Sequence, residues 1–149
     1  MKTLFTLLVL AITTWCVAHE TDCPYCKLPV LQNTEQLDNE VVVKFGNKRI
    51  EYRCIACVIL DQKRYTGDLI VYAPSEKIGE PVVIKRIAGK WSTSEGVVLI
   101  NQFKKHADCA QLSRAFHSRN AFDAFVTKNQ IVEPKALTLE QFLIEVLKP

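Results

Sequence analysis

Two Cys-x-x-Cys pairs, Cys23-Pro24-Tyr25-Cys26 and Cys54-Ile55-Ala56-Cys57, stand with 27 residues between them and constrain this chain more than any other feature. Two thiolates separated by two residues can both turn toward one ion from a tight turn or a helix start, and a second such pair completes a tetrahedral cage of sulfur. A fold that uses them in this way must bring two turns, distant in sequence, to one point. In an oxidising compartment the same cysteines could instead close as disulfides, and spacing alone leaves both readings open.

The first 18 residues read as a signal peptide. Lys2 gives a positive start, Leu4 to Ile12 is an almost unbroken apolar run, and Cys16-Val17-Ala18 offers the small residues a signal peptidase requires. On this reading residues 1–18 are removed, and residues 19–149, beginning at His19, form a single domain in the periplasm or another extracytoplasmic space. No later stretch has the apolar length needed to cross a membrane, so no transmembrane span is expected. Cys16 as a lipid anchor is the lesser reading, because the bulky Trp15 stands where that signal wants a small side chain.

Removal of residues 1–18 takes one lysine from the 19 basic residues, leaving 18 against 16 acidic ones and a formal charge of +2. The basic residues are scattered apart from Lys104-Lys105-His106, and no aromatic residues interleave along a basic stripe, so nucleic acid is not an expected partner. About 130 residues suffice for one core without disulfide staples, which means the cysteines call for a chemical or bracing role.

The chain alternates strand and helix signals. Glu40-Val41-Val42-Val43-Lys44-Phe45, the turn Gly46-Asn47 and Arg49-Ile50-Glu51-Tyr52 predict a β-hairpin. From Cys54 to Gln62 the apolar residues Ile55, Val58 and Ile59 recur at helical spacing, which places the second cysteine pair where a strand gives way to a helix. Leu69-Ile70-Val71-Tyr72 is a further strand. Val82-Val83-Ile84-Lys85 with Gly89 echoes the first hairpin, with Gly96-Val97-Val98-Leu99-Ile100 expected as its returning strand. Ser118 predicts the N-cap of a helix through Lys128 with Ala121, Phe122, Phe125 and Val126 inward. Thr138 with Gln141 forms a capping-box signature for a last helix with Leu139, Phe142, Leu143, Val146 and Leu147 on its apolar face.

Cys-x-x-Cys near the start of the domain, a hairpin leading through an aromatic residue to a cysteine at a helix start, and Ala115-Phe116 before an alanine- and phenylalanine-rich helix together resemble the NosL family. That family comprises extracytoplasmic copper-binding proteins that supply nitrous oxide reductase, and related domains. The resemblance covers nearly all of the domain, from Cys23 to about Phe142. It implies an α+β fold of two related halves, each of short antiparallel sheets packed with a helix, in agreement with the weak repeat. The family reads Cys-x-x-Cys-Gly-Met at its first motif, whereas Lys27 and Leu28 follow Cys26 here. Seven residues before Phe116, at a family methionine position, stands Cys109; Cys57 matches the family cysteine and Cys54 replaces an acid. Thioether ligands are thus exchanged for thiolates.

The function expected from these readings is binding of Cu(I) or Zn(II) by Cys23, Cys26, Cys54 and Cys57, with Cys109 as an additional or exchanging ligand, in a metallochaperone or metal buffer. Its implied partner is a metal-receiving protein of the envelope. A zinc- or disulfide-braced binding domain is the alternative. A thiol–disulfide oxidoreductase is a further one, although no βαβ pattern follows Cys26. None of the three histidines lies in a nucleophile or metalloprotease motif, so an enzyme is not expected; His106, three residues before Cys109, is a further ligand candidate.

Overall fold

The computed structural model describes residues 21–30, 40–100 and 114–148. The expected signal peptide with Cys16, His19, the Lys104-Lys105-His106 cluster and Cys109 lie outside the described residues. Among the described residues no helix is long and apolar enough to cross a membrane.

The fold is α+β. Short strands β1 (Thr21–Asp22) and β2 (Pro29–Val30) pair antiparallel and carry the first cysteine pair at their tip. Strands β3 (Val41–Phe45) and β4 (Lys48–Tyr52) form the expected hairpin, its turn eased by Gly46 at φ 56°. They join β5 (Leu69–Ala73), β6 (Val82–Ile87) and β7 (Lys90–Thr93) in one antiparallel sheet of order β4-β3-β5-β6-β7. Period-two alternation decides its faces: Val41, Val43, Leu69, Val71, Ala73, Val82 and Ile84 are buried on one side. The two hairpins that echo each other in sequence therefore lie in this single sheet, on either side of β5.

The second hairpin corrects one expectation. Its returning strand is β7, not Gly96–Ile100. Ala88 and Gly89, at φ 48° and 78°, make the tight two-residue turn that matches sheet twist, and it delivers the chain at once into Lys90-Trp91-Ser92-Thr93. That segment lacks a β-branched run because it is a half-solvated edge strand. Val98–Ile100 (β8) instead lies between β9 (Ala115–Phe116) and β10 (Ala136–Leu137) in a separate three-stranded sheet.

Helix α1 (Ile55–Leu60) follows β4 directly and packs against β4 and the last helix, α3 (Leu139–Leu147). Ile55, Ala56, Cys57, Val58 and Ile59 are all buried, so this helix is apolar on every side and is held by its surroundings; each large side chain contributes about 1.5–3 kcal/mol of transfer free energy. The helix ends at Leu60, two residues short of the Gln62 that periodicity gave, and a 3-10 turn, Gln62–Arg64, follows it. Arg86, buried on β6, ties the region down by donating to the carbonyls of Gln62, Tyr65 and Gly67 at 2.8 Å each. Helix α2 (Arg119–Lys128) has the predicted Ser118 cap, and α3 has its full capping box from Thr138 and Gln141. Phe122 is buried with Ile100 and Phe116 in a small second core, and Ala121, Phe125 and Val126 pack against it.

Candidate metal centre

The tip of the β1–β2 hairpin is a tight loop. Cys23 N–H donates to Leu28 O and Lys27 N–H to Cys23 O, both at 2.9 Å, while Lys27 takes the left-handed φ of 62°. This reversal turns the sulfurs of Cys23 and Cys26 to the same side. The hairpin is clamped to β4 and its end by two side chains: Thr21 Oγ1 donates to Glu51 at 3.1 Å, and the Arg53 guanidinium donates to Pro29 O. The clamp sets the Cys23–Cys26 loop against the start of α1.

At that start Cys54 is the N-cap, in extended conformation, and its Sγ accepts the Cys57 N–H at 3.4 Å. Cys57 is the third helical residue and points back over the cap toward the hairpin. The Sγ atoms of Cys23, Cys26 and Cys57 all lie within 4.8 Å of one another. Cys54 lies outside this trio but touches it, with its thiol donating to Cys57 Sγ at 3.3 Å. No disulfide joins these cysteines. The structure therefore brings together three of the four paired cysteines and places the fourth beside them as a helix cap.

Cys23, Cys54 and Cys57 are buried, whereas Cys26 is partly open to solvent. The Cys23 pKa is held down at about 5: a hydrogen bond from the Cys57 thiol is the main cause, burial works against it, and backbone N–H groups of Arg53, Cys26 and Tyr25 add to the lowering. Cys26 is pushed up, first by burial and further by its hydrogen bond and like charge with Cys23. One stable thiolate beside a protonated neighbour results. An ion entering the trio meets a ligand already charged and displaces the remaining protons.

Behind the thiols lies a polar network that sequence reasoning missed. The Tyr52 hydroxyl donates to Asp61 Oδ2 at 2.7 Å and pairs with the Tyr65 hydroxyl, and Arg64 holds the same Asp61 oxygen at 2.6 Å. Burial, with the negative charges of Asp61 and Cys23, raises the Tyr65 pKa, so the thiolate is felt at this ring. A signal was present: Tyr52 occupies an inward position in the β4 alternation, and a buried tyrosine hydroxyl requires a partner. His117 Nδ1 stands 3.1 Å from Glu76 Oε1, at hydrogen-bond distance, and takes no part in the thiol cluster.

The trio can accept a thiophilic ion. Sulfurs bonded at about 2.3 Å to one zinc stand roughly 4 Å apart, a spacing that three sulfurs already within 4.8 Å can reach by small side-chain rotations. Among solved structures the chain shares its fold with one described as the mercury-bound form of MerB2, at a TM-score of 0.55 and 19% identity over 70% of this chain. The likeness covers 54% of that protein, so this chain spans about half its length. No protein-family model and no curated protein matches the chain.

Proposed function

We propose that this chain binds a soft metal ion, Cu(I) or Zn(II), between Cys23, Cys26 and Cys57, and carries or buffers it outside the cytoplasm as a metallochaperone for an envelope protein. The observation that carries this reading is the convergence of three sulfurs from two turns far apart in sequence. An ion held by the trio is not fully enclosed, and the partial exposure of Cys26 offers a partner protein a place to begin ligand exchange. The NosL resemblance supports copper as cargo, and the signal-like residues 1–18 support the compartment. A mercury-bound protein of like fold supports the same chemical class, a soft ion on thiolate.

Burial of Cys23 and Cys57 in the main core favours a second reading, in which zinc is a fixed brace. Both are decided by loading the reduced protein with each ion, measuring the metal retained per chain, and timing its loss to a competing chelator. Carriage predicts one ion per chain, lost in Cys23→Ser, and rapid transfer to chelator. Transfer slower than unfolding would replace carriage by bracing, and a reduced protein that retains neither ion would overturn both readings.

A further inference from the structure

We infer that Cys54 is a reserve ligand that sets the coordination number of the centre: ions satisfied by three thiolates use the trio, and ions that demand four recruit Cys54 from its helix cap. This rests on the metal-binding reading above and adds ion selectivity to it. Cys54 Sγ lies 3.3 Å from Cys57 Sγ, inside the roughly 4 Å that separates neighbouring sulfurs around one ion. Distance from Cys57 is therefore not what keeps it outside the trio.

What holds it is the cap. Cys54 Sγ accepts the Cys57 N–H at 3.4 Å, a long bond to a weak acceptor, and a metal–thiolate bond outweighs it. The helix start that carries both cysteines is held by the burial of Ile55 to Ile59, so the Cys54 side chain, rather than α1, is the part that recruitment would move. Cu(I) is stable with three thiolates, whereas Zn(II) and Co(II) prefer tetrahedral surroundings and draw in a fourth.

Cys54→Ser separates these roles, because serine is a better N-cap than cysteine and keeps the helix start. The full chain, reduced, is titrated with Co(II) as a spectroscopic reporter, with Zn(II) in competition, and with Cu(I) against a bidentate chelator. Cys109→Ser is measured in parallel. In Cys54→Ser the Zn(II) and Co(II) affinities are expected to fall about a hundredfold with a changed Co(II) ligand-field spectrum, while Cu(I) affinity stays within about threefold. Equal losses for all ions, or no loss for any, would overturn the inference while leaving metal binding intact. Loss of Zn(II) in Cys109→Ser but not in Cys54→Ser would assign the fourth position to Cys109 and overturn it as well. A wild-type protein that binds neither ion would remove the inference together with the reading beneath it.

Discussion

Truncating Cys57 to alanine removes the largest influence that holds the Cys23 thiol near a pKa of about 5. A hydrogen bond to a charged group is worth about 1.5–3 kcal/mol, and 1.36 kcal/mol corresponds to about one pH unit, so the Cys23 pKa should rise by about one to two pH units. It should not return to its ordinary value, because the backbone N–H groups of Arg53, Cys26 and Tyr25 still face the sulfur. The assay is a pH titration of thiolate ultraviolet absorbance in metal-free protein, in which Cys26 titrates separately because its own pKa is pushed up. Stability provides a second readout. A folded-state pKa below the unfolded value of 9.0 means that the unfolded chain binds more protons, so metal-free stability rises with pH from about 5 to 9 and is lost as pH falls through that window. In Cys57→Ala the acid edge of the window moves upward and the gain shrinks. An unmoved Cys23 midpoint, with an unchanged pH–stability profile, would show that the backbone donors stabilise the thiolate alone and that the Cys57 thiol contributes nothing.

Three further outcomes are expected. Lys27→Gly should stabilise the protein by about 0.5–1 kcal/mol in urea unfolding, since glycine accepts the φ of 62° without strain, and only an exposed bond from Lys27 Nζ to Pro24 O is lost. Tyr52→Phe should cost about 2–3 kcal/mol, and more than Tyr65→Phe, because the Tyr52 hydroxyl serves both Asp61 and Tyr65. Loading with metal should slow hydrogen exchange at the Cys23 and Lys27 amides far more than at the β5 amides, as followed by NMR, because the ion links the small β1–β2 hairpin to α1 while β5 is already secured in the sheet centre.

Local chemistry made much of the fold legible. The Val41–Phe45 hairpin, the Ser118 cap and the Thr138–Gln141 capping box each rest on interactions within a few residues, and the structure contains all three. What escaped depends on partners far away. β7 is polar because it is an edge, and β8 pairs with β9 and β10, two-residue strands with no periodicity of their own. The β1–β2 hairpin is equally short, and a lysine gives no sequence signal for the left-handed φ of 62° at Lys27. Sequence spacing could name the candidate sulfurs, but it could not distinguish a sulfur that faces its partners from one that faces its own helix.

That distinction follows from how the two motifs are built. In the Cys23–Cys26 loop, the bonds from Cys23 N–H to Leu28 O and from Lys27 N–H to Cys23 O close the turn, and the N–H groups of Tyr25 and Cys26 turn inward onto the Cys23 sulfur, so both sulfurs of the loop face one point in space. In Cys54–Cys57 the spacing matches the relation between an N-cap and the third helical residue, whose N–H the cap side chain normally accepts. A Cys-x-x-Cys that begins a helix therefore has a built-in competition: the first sulfur can satisfy the backbone or join an ion, while the second turns toward the ion site. Setting a loop pair against a helix-start pair yields three convergent sulfurs and one adjacent, and the asymmetry comes from secondary structure rather than from any difference in the cysteines themselves.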